Sequence, residues 1–242
     1  MLSYYNTVNE VEASGIDTAL IPVGSVEQHG SHLPIGMDYF AADALCKGIA
    51  EKLNCLLYPT IPFSTCYEHK GSRGSLCMRP TTFYALIQDL VLNLREQGFK
   101  RVIFFIWHGG VFIAGPAIRE LNALYDDIQV IQVTGLQSPK IEALLDSHGE
   151  IHAGERETSL MLHIDPSTVN KEEMAKNDTE PNYPRDFLNY ASILKLSPNG
   201  VWGKPSLASE EKGKKLFDAY VDVAIEYINR AFEVATVEKW QK

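Results

Sequence analysis

The sequence predicts an α/β fold with a mostly parallel sheet covered by helices on both faces. Two observations carry that expectation. Short continuous apolar runs, such as Thr18 to Val23 and Val102 to Trp107, read as strands buried on both sides. Segments with apolar residues at helical spacing separate them, so strand and helix alternate as in βαβ units. At 242 residues, 45% hydrophobic and 22% charged, the chain can bury a sizeable core as a single domain spanning 1–242.

The elements follow in order. The run Thr18 to Val23, ended by Gly24, is a strand feeding a loop. Phe40, Ala44, Leu45, Ile49 and Leu53 make a helical stripe over 39–53, and Asn54 to Pro59 reads as a second strand. Over 82–97, Phe83, Leu86, Ile87, Leu90, Val91 and Leu94 form the clearest amphipathic stripe, with Thr81 or Thr82 to cap its start and Gly98 to end it. Arg101 to Trp107 then reads as a central strand that delivers His108-Gly109-Gly110 to its carboxyl end. A helix near 117–125, a strand at 128–133 and a helix around 140–145 continue the alternation. The stretch 165–205 is polar and turn-rich, a surface excursion serving as a lid or an inter-subunit contact. An amphipathic helix over 210–233, capped by Ser209, closes the chain.

The formal net charge of -9 argues against a nucleic-acid or anionic-membrane surface, because phosphate binding draws on clustered cations. No run approaches the ~18 apolar residues of a membrane span, and the amino-terminal stretch lacks the features of a leader, so the expected location is the cytoplasm. Cys46, Cys55, Cys66 and Cys77 fall in no C-x-x-C pair and read as reduced, mostly buried thiols.

Ligand chemistry collects in three stretches: EQHGSHLPIGMD at 27–38, WHGG at 107–110 and HAGERETS at 152–159. Open α/β sheets bind ligands beyond the carboxyl ends of their strands, so the three are expected to converge. Carboxylates with imidazoles are the ligand set of zinc, manganese or ferrous iron, whereas calcium takes oxygen alone. Glu27-x-His29 puts both side chains on one side of an extended backbone, and Gly30 and Gly36 let the chain turn so that Asp38 approaches the same point. With about five protein ligands, a bridging carboxylate can hold two metals that polarise a carbonyl together. The Gly109-Gly110 pair permits close approach to a ligand and can offer amide donors. His32, His69, His148 and His163 read first as surface or satisfied side chains, with His69 and His148 the better functional candidates, and Glu155-Arg156 as an exposed pair. No G-x-S-x-G elbow and no G-x-G-x-x-G after the first strand are present, which sets aside serine hydrolases and dinucleotide binding.

The segment 22–38 resembles the opening signature of the creatininase (creatinine amidohydrolase) family. Ile106 to Val111 is similar to its Asn-Gly-His-Gly-Gly-Asn loop, His152-Ala153-Gly154 with Glu157-Thr158-Ser159 to its third signature, and Asn199 to Pro205 running into 208–213 to a fourth. The resemblance implies a three-layer α/β/α sandwich, two divalent metal ions, hydrolysis of C–N bonds in small amides, often cyclic, and a homo-oligomer, often a hexamer. Carried over by position, Glu27, His29, His108 and Glu157 look like metal ligands, Asp38 like the bridging one and His152 like the proton-shuttling histidine; His69, in a loop similar to the family's substrate-side loop, and Trp202, in the weaker fourth match, are expected to bind substrate. Where the family has flanking Asn residues this chain has Ile106 and Val111, which removes side-chain amides able to orient a ligand. Arg73 stands in a loop similar to the family's substrate-side loop, and a guanidinium there would recognise an acidic substrate. Rival readings are a metallopeptidase or deformylase acting on an open-chain amide, and a metal-binding scaffold without turnover.

Overall fold

The computed structural model describes residues 1–236. Five parallel strands, β1 (Leu2–Ser3), β2 (Thr18–Val23), β3 (Leu56–Leu57), β4 (Arg101–Ile106) and β5 (Gln129–Val133), form one sheet in the order β1-β3-β2-β4-β5. The central pair runs in register from Thr18 opposite Arg101 to Val23 opposite Ile106.

Period-two alternation sorts the central strands onto two cores. Leu20, Ile103, Phe105 and Ile131 pack against α2 (Met37–Lys52), α6 (Glu155–Ile164) and α8 (Glu210–Thr236), through Leu45, Ile49, Leu160, Leu216, Tyr220 and Ile228. Ala19, Ile21, Val23, Val102, Phe104 and Ile106 face α3 (Pro80–Glu96) and α4 (Ala114–Leu124), through Phe83, Ile87, Val91, Ala117, Ile118 and Leu121. Helix, sheet and helix make the α/β/α sandwich. Gly213 lets α8 lie close on α6: a β-carbon there would collide with the Ser159 carbonyl.

The differences from the sequence expectation are local. Helix α3 starts at Pro80, with Arg79 at the N-cap and no side-chain cap bond, so Thr81 and Thr82 lie inside the helix. Proline suits the first helical position, where its missing N–H has no partner to lose. Gly98 follows at φ +91, the left-handed terminator expected of it. The second strand shortens to Leu56–Leu57, since Pro59 offers no N–H to the ladder. Helix α4 begins three residues early because Pro116 sits in its first turn, where N–H groups have no intrahelical acceptor. The helix expected around 140–145 is one turn, α5 (Pro139–Glu142), capped by Ser138. Helix α1 (Val8–Ser14) was not expected, although Thr7 and Glu10 spell its capping box and Gly15 its end. Ser209 Oγ accepts from Lys212 N at 3.2 Å, as the predicted cap of α8.

Glu155 and Arg156 are not an exposed pair. Glu155 is fully buried and accepts from the N–H groups of Asp146 and Ser147 at 3.0 and 2.7 Å, from Ser147 Oγ at 2.9 Å and from Lys212 Nζ. It thus ties α6 and α8 to the 146–147 turn, while Arg156 pairs with Glu142 at 3.1 Å. Burial alone pushes the Glu155 carboxyl up, but Lys212 and the amides outweigh it and hold its pKa below the usual value. The stability it supplies is therefore complete above the ordinary carboxylate pKa of about 4.3 and is lost as pH falls through the lowered value. Glu155→Ala is expected to cost about 2 kcal/mol at neutral pH, because it leaves the Asp146 and Ser147 amides without their acceptor, while Lys212 keeps Asp146 and the Leu207 carbonyl, each at 2.9 Å. Denaturant titration checks this: the gap to wild type should narrow on acidification below roughly pH 4.

The excursion over 165–205 carries three short 3-10 turns and α7 (Ile193–Leu196) and folds back through Thr179 paired with Gly203. It packs over the carboxyl ends of the strands. No helix among the described residues is long and apolar enough to cross a membrane. Cys46, Cys55 and Cys66 are buried and Cys77 is exposed, all as free thiols.

Candidate metal centre

Two strand-following loops and the turn that leads into α6 meet where the sequence places its ligand chemistry. The chain leaves β2 through Gly24, where a β-carbon would stand 2.6 Å from the Tyr39 backbone, so the loop lies directly on the start of α2. Glu27 and His29 follow, Gly30 turns the chain at φ +69, and Asp38 occupies the first turn of α2, where a carboxylate complements the helix dipole. His108 comes off the end of β4. His152 is pinned by backbone bonds with Trp202, and Ala153, left-handed at φ +52, swings the chain into α6 so that Glu157 faces the same point. A non-glycine residue there costs about 1 kcal/mol, and the Ala153 N–H donating to Glu157 Oε2 at 2.6 Å helps to hold it.

The distances define a compact cluster. Glu27 Oε1 lies 3.1 Å from His108 Nδ1 and 3.1 Å from His69 Nε2. Asp38 presents Oδ2 to His108 Nδ1 at 3.3 Å and Oδ1 to His29 Nε2 at 3.6 Å, and Glu157 Oε2 stands 3.8 Å from His29 Nε2. Three overlapping ligand groups result: Glu27 with Asp38 and His108, His29 with Asp38 and Glu157, and Glu27 with His29 and His152, each with its atoms within 4.8 Å of one another. Asp38 belongs to the first two and stands between them.

The bonding on the far side of each group tests whether a metal fits. Ser25 Oγ donates to Glu27 Oε2 at 2.7 Å, leaving Oε1 facing inward. His29 Nδ1 donates to the Glu27 carbonyl at 3.1 Å and His108 Nε2 to the Thr65 carbonyl at 2.9 Å, which fixes both tautomers and aims the opposite lone pair at the centre. Glu27 Oε1, His29 Nε2 and Asp38 Oδ2 are buried atoms without a hydrogen-bond partner. Buried orphans on three converging ligands are costly unless a cation occupies the point they share, so the residues fit a divalent metal centre.

Electrostatics agrees with the geometry. Burial alone depresses the two imidazoles, but surrounding carboxylates outweigh it: Asp38, Glu157 and Glu27 push His29 up to about 9, and Glu27, Asp38 and Glu68 push His108 well above its usual value. Burial also raises Glu157 to about 7, while for Glu27 it is overcome by His108 and His69, which hold that carboxyl well below normal. The field at the centre favours positive charge. His152 goes the other way, held well below its usual value by burial and then by His29 and His69. Its Nε2 lies 2.7 Å from the Gln28 carbonyl, an acceptor, so this nitrogen carries the proton and Nδ1 is a free base facing Glu27 at 3.9 Å.

A cavity of about 690 Å³ opens onto the cluster. His69, one of the two better functional candidates among the remaining histidines, lines it; His148, the other, is exposed and outside it. His32 is buried and bonds Thr158 Oγ1 at 3.0 Å, and His163 packs edge-on against Phe217. Gly109 and Gly110 line the cavity because side chains crowd both: a β-carbon on Gly110 would collide with the Glu68 carboxylate, and one on Gly109 would stand 3.0 Å from Arg185 Nη2. Trp202 does not line it and acts through its backbone, its ring buried. Arg73 is exposed and also outside the lining, since Gly71 and Gly74, at φ +105 and +94, turn its loop to the surface. Ile106 and Val111, which stand where the resembled signature has Asn, sit in the core beneath α3 and α4, and neither lines the cavity.

Glu68 and Arg185 are among the lining residues that escaped sequence reasoning. Glu68 stands 3.3 Å from His108 Nε2; it is adjacent to His69 in a loop already singled out, so its signal was present. Arg185 comes from the polar excursion, where no motif marks it.

A family model described as creatininase, creatinine amidohydrolase, matches residues 5–228. The mycofactocin precursor peptide peptidase of Mycobacterium ulcerans is 29% identical, with 87% of this chain and 84% of the relative covered. The creatinine amidohydrolase of Pseudomonas putida is 26% identical over 91% of this chain and 92% of its own length. A solved structure of creatininase with manganese superposes with a TM-score of 0.83 at 23% identity, covering 96% of this chain and 98% of that one. With the sandwich, the order of its ligand-bearing loops and a match over nearly its whole length in agreement, this chain is a member of the creatininase family.

Proposed function

We propose that the protein is a metal-dependent amidohydrolase, one unit over 1–242, that cleaves a C–N bond of a small amide. Glu27, His29, Asp38, His108 and Glu157 would hold two divalent ions, zinc, manganese or iron, with Asp38 between them. The observation that carries this reading is the set of buried, unpartnered atoms, Glu27 Oε1, His29 Nε2 and Asp38 Oδ2, aimed at one point by bonds on their far sides. Such ions, when bound, supply an activated water and polarise the amide carbonyl.

The chain's own groups do the rest. Gly109 and Gly110 allow the substrate close to the centre and offer backbone N–H groups to the developing oxyanion. His152, neutral and with its Nε2–H tied to Gln28, accepts the proton from the attacking water at Nδ1 and returns it to the departing nitrogen. An amine anion leaves too poorly to go without it. His69 is oriented by Gln28: Gln28 Oε1 accepts from the Gly30 N–H, so its Nε2 donates to His69 Nδ1, which leaves the His69 proton on Nε2, 3.1 Å from Glu27 Oε1.

One observation favours an open-chain substrate over a small ring. A cavity of about 690 Å³ with Tyr67 and Phe112 at its mouth has the room that drug-sized ligands use, so a peptidase reading stands second. Protein reconstituted with each of the three metals and screened on cyclic amides, formamides and short peptides is expected to turn over at least one class, to lose that turnover to a chelator and to regain it with metal. No turnover by any loaded form would sink the hydrolase reading.

A further inference from the structure

We infer that Arg185 is the carboxylate anchor of this site, and that the substrate is an amide bearing a free carboxylate close to the scissile bond, such as an N-acyl amino acid or the carboxyl-terminal residue of a peptide. The inference rests on the amidohydrolase reading and names its substrate class.

Arg185 stands at the head of a 3-10 turn, Arg185–Asn189, that the excursion lays over the cavity. It is the only Lys or Arg among the described residues lining that cavity, where Glu27, Asp38, Glu68, Glu157 and Asp186 are also present. None of these carboxylates neutralises it: among the described residues its guanidinium makes no ion pair and no hydrogen bond. Arg95 pairs with Asp127 at 2.7 Å and Arg156 with Glu142 at 3.1 Å; among the exposed arginines without such a partner, Arg185 is the one that borders the cavity. A guanidinium has five donors, no acceptor and a planar fork that matches a carboxylate bidentately.

Its position fixes what it can reach. Arg185 Nη2 lies 3.0 Å from where a β-carbon of Gly109 would stand, one residue from His108. A carboxylate gripped there would sit beside an amide presented to the centre, about one residue away along a substrate chain. With Glu27, Asp38 and Glu157 assigned to the metal ions, Glu68 and Asp186 remain as lining carboxylates that would repel an anionic substrate; Arg185 offsets that repulsion at one spot and so selects for a carboxylate placed there.

The test uses matched pairs of N-acyl amino acids and their carboxamides with the metal-loaded enzyme, alongside calorimetric binding of the free acid to metal-free protein. Wild type is expected to favour the acid in kcat/KM by roughly ten- to a hundredfold, mainly through KM. Arg185→Ala should erase that ratio, Arg185→Lys should restore part of it, and Arg185→Ala should also lose the calorimetric signal. An acid-to-amide ratio unchanged in Arg185→Ala overturns the anchor while leaving the amidohydrolase reading intact. Acid binding lost in Arg185→Ala, with no turnover of either partner by the loaded enzyme, sustains the anchor and removes the amidohydrolase reading. Absence of both binding and turnover overturns both.

Discussion

Asp38→Asn is expected to lower the divalent metal bound by the protein from about two ions per chain to one or none, and to cut amide hydrolysis by at least roughly a hundredfold. Asn keeps the size of the side chain but removes its charge and one of its two anionic oxygens. Those oxygens face opposite halves of the cluster, one toward His108 at 3.3 Å and the other toward His29 at 3.6 Å, so the change weakens both ligand groups at once. The fold should tolerate it, because the helix-dipole contribution of a first-turn carboxylate is only about 0.3–1 kcal/mol. Metal content by mass spectrometry on tag-free, reconstituted protein checks the claim, with circular dichroism to confirm folding. Two ions retained by Asp38→Asn would remove Asp38 from the shared position. Wild type that binds no zinc, manganese or iron would instead promote the reading of a scaffold without turnover.

What the sequence disclosed and what it concealed divide along physical lines. Strands β2 and β4 are continuous apolar runs in the middle of a sheet covered on both faces, so composition alone announced them. The opening ligand stretch was legible because Glu27, His29 and Asp38 fall within one loop and one helix start, where spacing translates directly into position. Orientation was harder. Arg73 and Arg185 are both exposed arginines in turn-rich polar segments, and nothing local says which one borders the cavity; two positive-φ glycines turn the loop of the first away from it and the excursion lays the second at its edge. Glu155 was misread for a related reason: its partners, the 146–147 amides and Lys212, come from separate elements, and a buried ion pair assembled from distant segments leaves no periodic trace. Ile106 and Val111 show the reverse, since the end of β4 and the loop that carries His108 to the centre point these two side chains into the core.

His152→Ala is expected to keep both ions and to lose roughly 100- to 10,000-fold in kcat. The substitution leaves the local backbone in place, because His152 is held by its main-chain bonds with Trp202 at 3.1 and 2.9 Å and not by its ring. What disappears is a neutral imidazole whose Nδ1 makes no hydrogen bond while Nε2–H is committed to Gln28, an arrangement that can take up a proton and give it back. The structure offers a competing assignment, since Nδ1 also falls in a ligand group with Glu27 and His29. Ion content and turnover measured on the same sample separate the two. If His152 is a ligand, the variant loses an ion in step with activity, and added metal recovers part of both. If it carries the proton, two ions stay bound and excess metal recovers nothing, whereas an amide with a better leaving group recovers much of the rate, because the departing nitrogen then needs less help from an acid. Full turnover with both ions bound would strip His152 of either role and leave His69, whose Nε2 stands 3.1 Å from Glu27 Oε1, as the remaining proton donor among the cavity's imidazoles.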